Sequence, residues 1–188
     1  MATYDDPRIL RAIAHPVRNR ILAELDARGS LRAADLAREL DIPANQASFH
    51  LRQLAKYGLI EEDPGAARDR RDRVWRPVTP EGFAIEMAEV EREPGGKAAA
   101  RVFRRTRRAW GHQVVDAVLA DKRTKGTYSS LTDAALLLSK SEAATFAAEL
   151  EELVRTWSER TREGGEGRIT YLYYAAVLPY PAVTDEEA

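Results

Sequence analysis

A helix, a three-residue turn, a second helix and an arginine-bearing hairpin follow one another between residues 33 and 78, and this order limits the chain's possible folds more than any other feature. Residues 33–40 (AADLAREL) carry Leu36 and Leu40 at helical spacing, and Asp41-Ile42-Pro43 makes a tight turn. Residues 44–57 then place Ala47, Leu51 and Leu54 on one helical face before Gly58 closes the helix. Residues 59–62 read as a strand and residues 73–78 as its partner. The loop between them is polar and holds Arg68, Arg70 and Arg71, with Arg73 at the start of the returning strand.

Two helices precede this unit. Asp6-Pro7 supplies a cap and a proline at the first helical position, leading into Ile9, Leu10 and Ile13. His15-Pro16 interrupts the helix because the residue before proline disfavours helical backbone. A second helix with Val17, Ile21, Leu22 and Leu25 on one face ends at Gly29. Helix, helix, helix, turn, helix and hairpin is the layout of a winged helix-turn-helix, expected over residues 5–80.

Beyond it, Thr79-Pro80-Glu81 is expected to open a helix to about residue 93, and residues 97–121 a long helix after Pro94-Gly95-Gly96. That helix carries Phe103, Thr106, Trp110, Val114 and Ala117 along one stripe and Arg101, Arg105 and Arg108 along another. Residues 81–126 are therefore read as a helical linker and dimerisation region. Residues 132–139 are a strand candidate and residues 168–178 alternate as a strand does, on either side of an amphipathic helix from Ser141 through Phe146, Leu150, Leu153 and Trp157. Residues 127–180 are accordingly expected as a small α+β region. The predicted fold is mostly α with a β-hairpin wing, then a long helix and that C-terminal region.

The near-neutral formal charge of −1 conceals a segregation. Residues 97–126 hold nine Lys and Arg against two Asp and Glu, net +7, whereas residues 127–188 hold five against eleven, net −6. Binding to a polyanion depends on such local patches, so the total does not argue against nucleic acid. The absence of cysteine excludes disulfides and thiolate metal sites. No apolar run approaches the roughly 20 residues of a membrane span, and the N-terminus lacks the basic and apolar regions of a secretory signal. A cytoplasmic location and no membrane partner are expected. Neither a Gly-x-Gly-x-x-Gly loop, a Walker A sequence nor a Gly-x-Ser-x-Gly elbow occurs, so no catalytic residue, cofactor or enzymatic activity is expected.

On the helix at 44–57 the side chains left facing outward are Asn45, Gln46, Ser48, Phe49, Arg52 and Lys56. Asn and Gln pair with an adenine edge and Arg with guanine, while an aromatic ring can touch a thymine methyl, in a major groove about 12 Å wide. Any soluble helix shows polar residues outward. It is the ordered set of elements that gives this face meaning.

The segments HPVRNRIL, SLRAADLARELDIPANQASFHLRQLAKYGLIEE and RVWRPV resemble the ArsR-type winged-helix regulators over about residues 5–80. The resemblance implies a homodimer on a near-palindromic double-stranded DNA operator, usually as a repressor. It places Asn45, Gln46, Ser48 and Arg52 where that family reads bases and Arg68, Arg70, Arg71 and Arg73 in its wing. Arg32 stands where Ser or Thr is frequent. It cannot accept a hydrogen bond as a cap, so it is assigned to a phosphate. His50 matches the family's histidine and is read as a packed residue. The dimer is expected from the long helix through Phe103, Trp110 and Val114, with Leu10 and Ile13 of the first helix. The family's thiol metal sites have no counterpart here; His112 and Asp116 offer two ligands at most, and no metal is expected. A small apolar effector is considered for Trp110, Trp157, Tyr171, Tyr173 and Tyr174, although aromatics at such spacing are more often core or dimer interface. The alternative function is a winged-helix module that contacts proteins and not DNA.

Overall fold

The computed structural model describes residues 2–67, 73–79, 82–120, 126–162 and 165–180. Helix α1 (Pro7–Ile13) begins as its sequence dictates, with the Asp6 carboxylate accepting from the Arg8 amide at 2.8 Å. Helix α2 (Pro16–Arg28) starts at the proline after His15 and stops at Gly29, whose amide donates to Leu25 with φ at +81°. Helices α3 (Ala33–Leu40) and α4 (Ala44–Lys56) follow around the Asp41 turn. Their facing apolar residues, with those of α1 and α2, make one core in which Leu10, Ile21, Leu25, Leu36, Leu51 and Leu54 are fully buried.

The wing is a three-stranded antiparallel sheet in the order β2 (Leu31–Arg32), β4 (Val74–Pro77), β3 (Ile60–Glu62). Its register sets Leu31 against Trp75 and Glu62 against the same Trp75 from the other side. Trp75 and Ile60 turn inward and close the core beneath the helices. Strand β2 has no signature of its own in the sequence; two residues between a helix end and the next helix are too few to show alternation.

The helix expected from Thr79 to about residue 93 is corrected. It forms only as α5 (Met87–Arg92), and residues 83–85 are instead strand β5 (Phe83–Ile85), paired in parallel with β1 (Ala2–Tyr4). Two causes act together. Gly82 sits at φ +76°, which interrupts any helix arriving from Thr79. Tyr4 then stacks edge-on to Phe83 at 5.6 Å and donates from its hydroxyl to the Gly58 carbonyl. Pro80 and Glu81 lie outside the described residues.

Helix α6 (Gly96–Leu119) runs on from α5 and packs against α1 and α5. Gly96 makes that turn possible: a Cβ there would stand 1.7 Å from the Val90 carbonyl oxygen. Val90, Ala99 and Ala100 thereby reach the core under α1. Helix α7 (Lys140–Thr161) starts with a capping box, the Ser139 amide donating to Glu142 at 2.7 Å and the Glu142 amide to Ser139 Oγ at 3.2 Å.

The strands expected at 132–139 and 168–178 do not form among the described residues, where α7 is the one regular element after α6. A strand exists by its ladder, and neither segment has a hydrogen-bonded neighbour strand. Their apolar residues, Leu136, Leu138, Ile169 and Tyr171 among them, remain exposed. This region is fastened instead by side chains: the Tyr128 amide donates to the Tyr171 hydroxyl at 3.1 Å, the Thr170 hydroxyl donates to Glu24 at 2.8 Å, and the Tyr174 hydroxyl lies against Gly111.

The tight α5–α6 joint should respond to substitution with an unusual sign. Glycine to alanine in a helix ordinarily stabilises, but Gly96→Ala should cost about 2 kcal/mol because backbone must move. Lys97→Ala, one residue on and exposed, should shift stability by no more than about 0.5 kcal/mol. Urea unfolding of both variants checks this; a neutral Gly96→Ala would refute the close approach.

Candidate nucleic-acid interface

The turn between α3 and α4 is set by Asp41, which adopts the left-handed conformation at φ +52°. This is a backbone state that Asp tolerates better than most residues. The Ile42 amide returns to the Ala37 carbonyl at 3.0 Å, and Pro43 caps α4 with its carbonyl accepting from Ala47. Four inner residues then hold α4 down: Ala47, Leu51 and Leu54 are fully buried and His50 nearly so.

With that face committed, Asn45, Gln46, Phe49, Arg52 and Lys56 stand exposed. Phe49 is half exposed at 50%, an aromatic ring that the core does not take. Asn45 Oδ1 accepts from the Gln46 amide, orienting the Asn side chain at the helix start. Ser48 is half-buried and donates to the Ala44 carbonyl at 2.9 Å, so its hydroxyl offers a partner only an acceptor lone pair. Arg52 and Lys56, one turn apart, have no acidic partner among the described residues. The exposed face therefore combines two amide side chains, an aromatic and two cations on one rigid helix.

The wing is held at its base by Asp63, which accepts from Ser30 Oγ at 2.7 Å and from the Gly65 amide at 3.2 Å. The Ser30 hydrogen bond, with Arg76 nearby, holds the Asp63 carboxyl below its ordinary range. Arg73 lies 3.5 Å from Glu62, and Arg76 lies 2.8 Å from Glu61. These are exposed pairs that water and salt weaken. Arg68, Arg70 and Arg71 fall outside the described residues.

Arg32, expected to contact a phosphate, stands at the N-cap of α3 beside Asp35. Its guanidinium forks onto Asp35, with Nε to Oδ2 at 2.8 Å and a second bond to Oδ1 at 3.0 Å. The same carboxylate accepts from the Arg32 amide, so Asp35 satisfies the start of α3 and neutralises the arginine together. Leu10 and Ile13 need correction as interface residues: both are buried in the core of a single chain, 0% and 6% exposed. Phe103 is half-buried and packs partly on that core, while Trp110 and Val114 are half-buried farther along α6. Helix α6 carries Asp116 exposed and His112 beside the same face. Among the described residues no three His, Asp or Glu side chains gather as a metal site would, and no helix is long and apolar enough to cross a membrane.

Sequence reasoning found His50 but not its partner. His15, the N-cap of α2, lies in ring contact with His50 at 4.5 Å between centroids, and both Nδ1 atoms are buried without a hydrogen bond. Arg18 stands beside them, its guanidinium donating to the Arg11 and Ala12 carbonyls at the end of α1. Neither the separation along the chain nor the residue types signal this pairing; only the docking of α4 on α2 creates it.

These residues and this order of elements define a winged helix-turn-helix domain. Residues 13–63 match a family model described as a helix-turn-helix domain. No curated protein matches the chain. Among solved structures, the YusO protein from Bacillus subtilis is 16% identical with 79% of each chain covered and a TM-score of 0.36. The homodimeric winged helix-turn-helix DNA-binding domain of Mb0332 from Mycobacterium bovis, a possible ArsR-family transcriptional regulator, is 22% identical. It covers 62% of this chain and 83% of that one, with a TM-score of 0.33. A MarR variant from E. coli, complexed with operator DNA, is 14% identical with 74% of each chain covered and a TM-score of 0.32.

The histidine pair links the interface to pH. Burial is the main cause holding both imidazoles below their ordinary value near 6.5, reinforced by Arg18 and, for His50, by His15. The unfolded chain therefore binds protons that the folded chain resists. The stability this pair contributes is present above about pH 6.5 and is lost as pH falls below it. The melting temperature of the wild type should fall between about pH 7 and about pH 5, and a His15→Asn/His50→Gln double variant should show a flatter profile. Parallel profiles would remove the histidines from the cause.

Proposed function

We propose that this protein is a DNA-binding transcription regulator that acts as a homodimeric repressor, reading a double-stranded operator with α4. The observation that carries this reading is the division of α4: one face is locked into the core by Ala47, His50, Leu51 and Leu54, and the other offers Asn45, Gln46, Phe49, Arg52 and Lys56. A rigid helix displaying both base-edge partners and cations is what the major groove accepts. Gln46 and Arg52 are the base readers, Phe49 suits a thymine methyl, and Lys56 suits a phosphate. Asn45 and Ser48, whose polar atoms are partly engaged within the helix, are placed as secondary contacts. Arg68, Arg70, Arg71 and Arg73 supply phosphate contacts from the wing. Trp110 and Val114 of α6, with the exposed part of Phe103, contribute the dimer contact.

Selection of bound sequences from a random duplex pool defines the operator. Against it, Gln46→Ala and Arg52→Ala should each lose about 1–3 kcal/mol of binding while affinity for random duplex persists. Melting temperature serves as the folding control. Variants that melt normally and keep the wild-type preference for the operator would exclude α4 as the reader.

The wing should behave in the opposite manner. Replacing Arg68, Arg70 and Arg71 together with Ala should weaken binding to every duplex. The slope of log affinity against log salt should then fall by about 0.9 for each phosphate no longer neutralised. An unchanged slope would show that these arginines are solvated in the complex.

A further inference from the structure

We propose that α7 docks on the basic face of α6 of a second copy, so that each copy lends its α7 to the other; this rests on the homodimer reading above. Helix α7 is 22 residues long and none of its residues is buried. Its apolar seam runs through Phe146, Leu150, Leu153, Val154 and Trp157, of which Leu153 is 54% and Trp157 57% exposed. A solitary amphipathic helix is marginal in water and takes its stability from what covers the seam. Among the described residues α7 packs extensively on no other helix or strand, and its seam stays half-buried at Phe146 and Leu150 and exposed at Leu153, Val154 and Trp157.

Charge identifies the cover. Glu149 flanks the seam on one side and Glu151 on the other, and neither has a cation among the described residues. Of the remaining acids along the helix, Glu142 is engaged in the capping box with Ser139, and Glu152 and Glu159 are held by Arg155 on the outward face. The partner must therefore present an apolar strip of helical length bordered by cations. A second α7 does not qualify, since antiparallel seams centred on Leu150 would bring Glu149 of one copy against Glu149 of the other along one flank and Glu151 against Glu151 along the other.

Helix α6 has the required character. Ala98, Val102 and Ala109 are exposed along one side, with Arg101, Arg105 and Arg108 next to them. These arginines line a concavity together with Lys97 and Arg104, where the single acid, Glu91, is taken by Arg104 at 2.6 Å. Helix α6 carries six cations against one acid, whereas α7 carries five acids against three cations, so the two helices are opposite in sign. Within one chain α6 packs instead on α1 and α5. Two copies related by a two-fold axis satisfy both helices at once, each giving one α7 and receiving one.

Two charge-reversed chains test this by sedimentation velocity, with circular dichroism and melting temperature confirming that these exposed substitutions leave the fold intact. Arg101→Glu/Arg105→Glu sets acid against acid in its own dimer, and Glu149→Arg/Glu151→Arg sets base against base. Each alone should dimerise about tenfold more weakly, or worse, than the wild type. Mixed in equal amounts they should dimerise more tightly than either variant alone, because a mixed dimer forms one joint between the two reversed faces and one between the two native faces, each pairing opposite charges. A monomeric wild type would overturn the homodimer reading and this proposal together. A wild-type dimer whose reversed variants dimerise equally well would overturn the exchange alone. Variants that weaken but do not recover on mixing would also overturn it, since pairing within one chain cannot be rescued by a second.

Discussion

The burial of the inner face of α4 is the constraint on which the rest of this molecule depends. Ala47, Leu51 and Leu54 are fully enclosed by α2 and α3, so rotation of α4 about its axis would carry apolar side chains out of the core into water. Fixing that rotation determines which side chains face away, and the exposed set follows as a geometric remainder. The short Asp41 turn fixes the second coordinate, the angle at which α4 leaves α3. The wing is tied to the same core through Trp75 and through the Ser30–Asp63 hydrogen bond at its base. Helix α4 and the hairpin are therefore held in one frame, as a surface that must meet groove and backbone together requires.

The same packing places the least comfortable chemistry of the core directly under that surface. His50 belongs to α4, and its ring rests on His15 at the start of α2, both with a nitrogen left unpaired. An apolar residue would avoid the desolvation that these imidazoles incur. Phe49, edge-on to His50 at 5.3 Å, joins the buried pair to the exposed face. A change in the protonation of the pair would act first on the seat of α4, with the fixed guanidinium of Arg18 opposing any added positive charge.

The two halves of the chain differ in how completely one copy can satisfy them. Residues up to about 100 enclose a full core, and there most of the apolar residues are covered. Beyond Ala100, α6 and α7 carry half-buried or exposed apolar seams with charges of opposite sign.

Much of the winged-helix unit was legible in residue order, because local signals and core packing agree there. Asp6-Pro7, Gly29, Pro43 and Gly58 punctuate the helices, and the spacing of Leu36, Leu40, Ala47, Leu51 and Leu54 marks their inner faces. The outward set on α4 followed by subtraction. Tertiary structure decided what depends on partners far along the chain. Residues 83–85 became a strand because β1 lies beside them, whereas residues 132–139 and 168–178 found no ladder among the described residues and formed none. Arg32 was claimed by Asp35, Leu10 and Ile13 by the core, and His15 by His50. Periodicity records which face of a segment is apolar, but a ladder, an ion pair or a ring contact exists only once the second partner is in place.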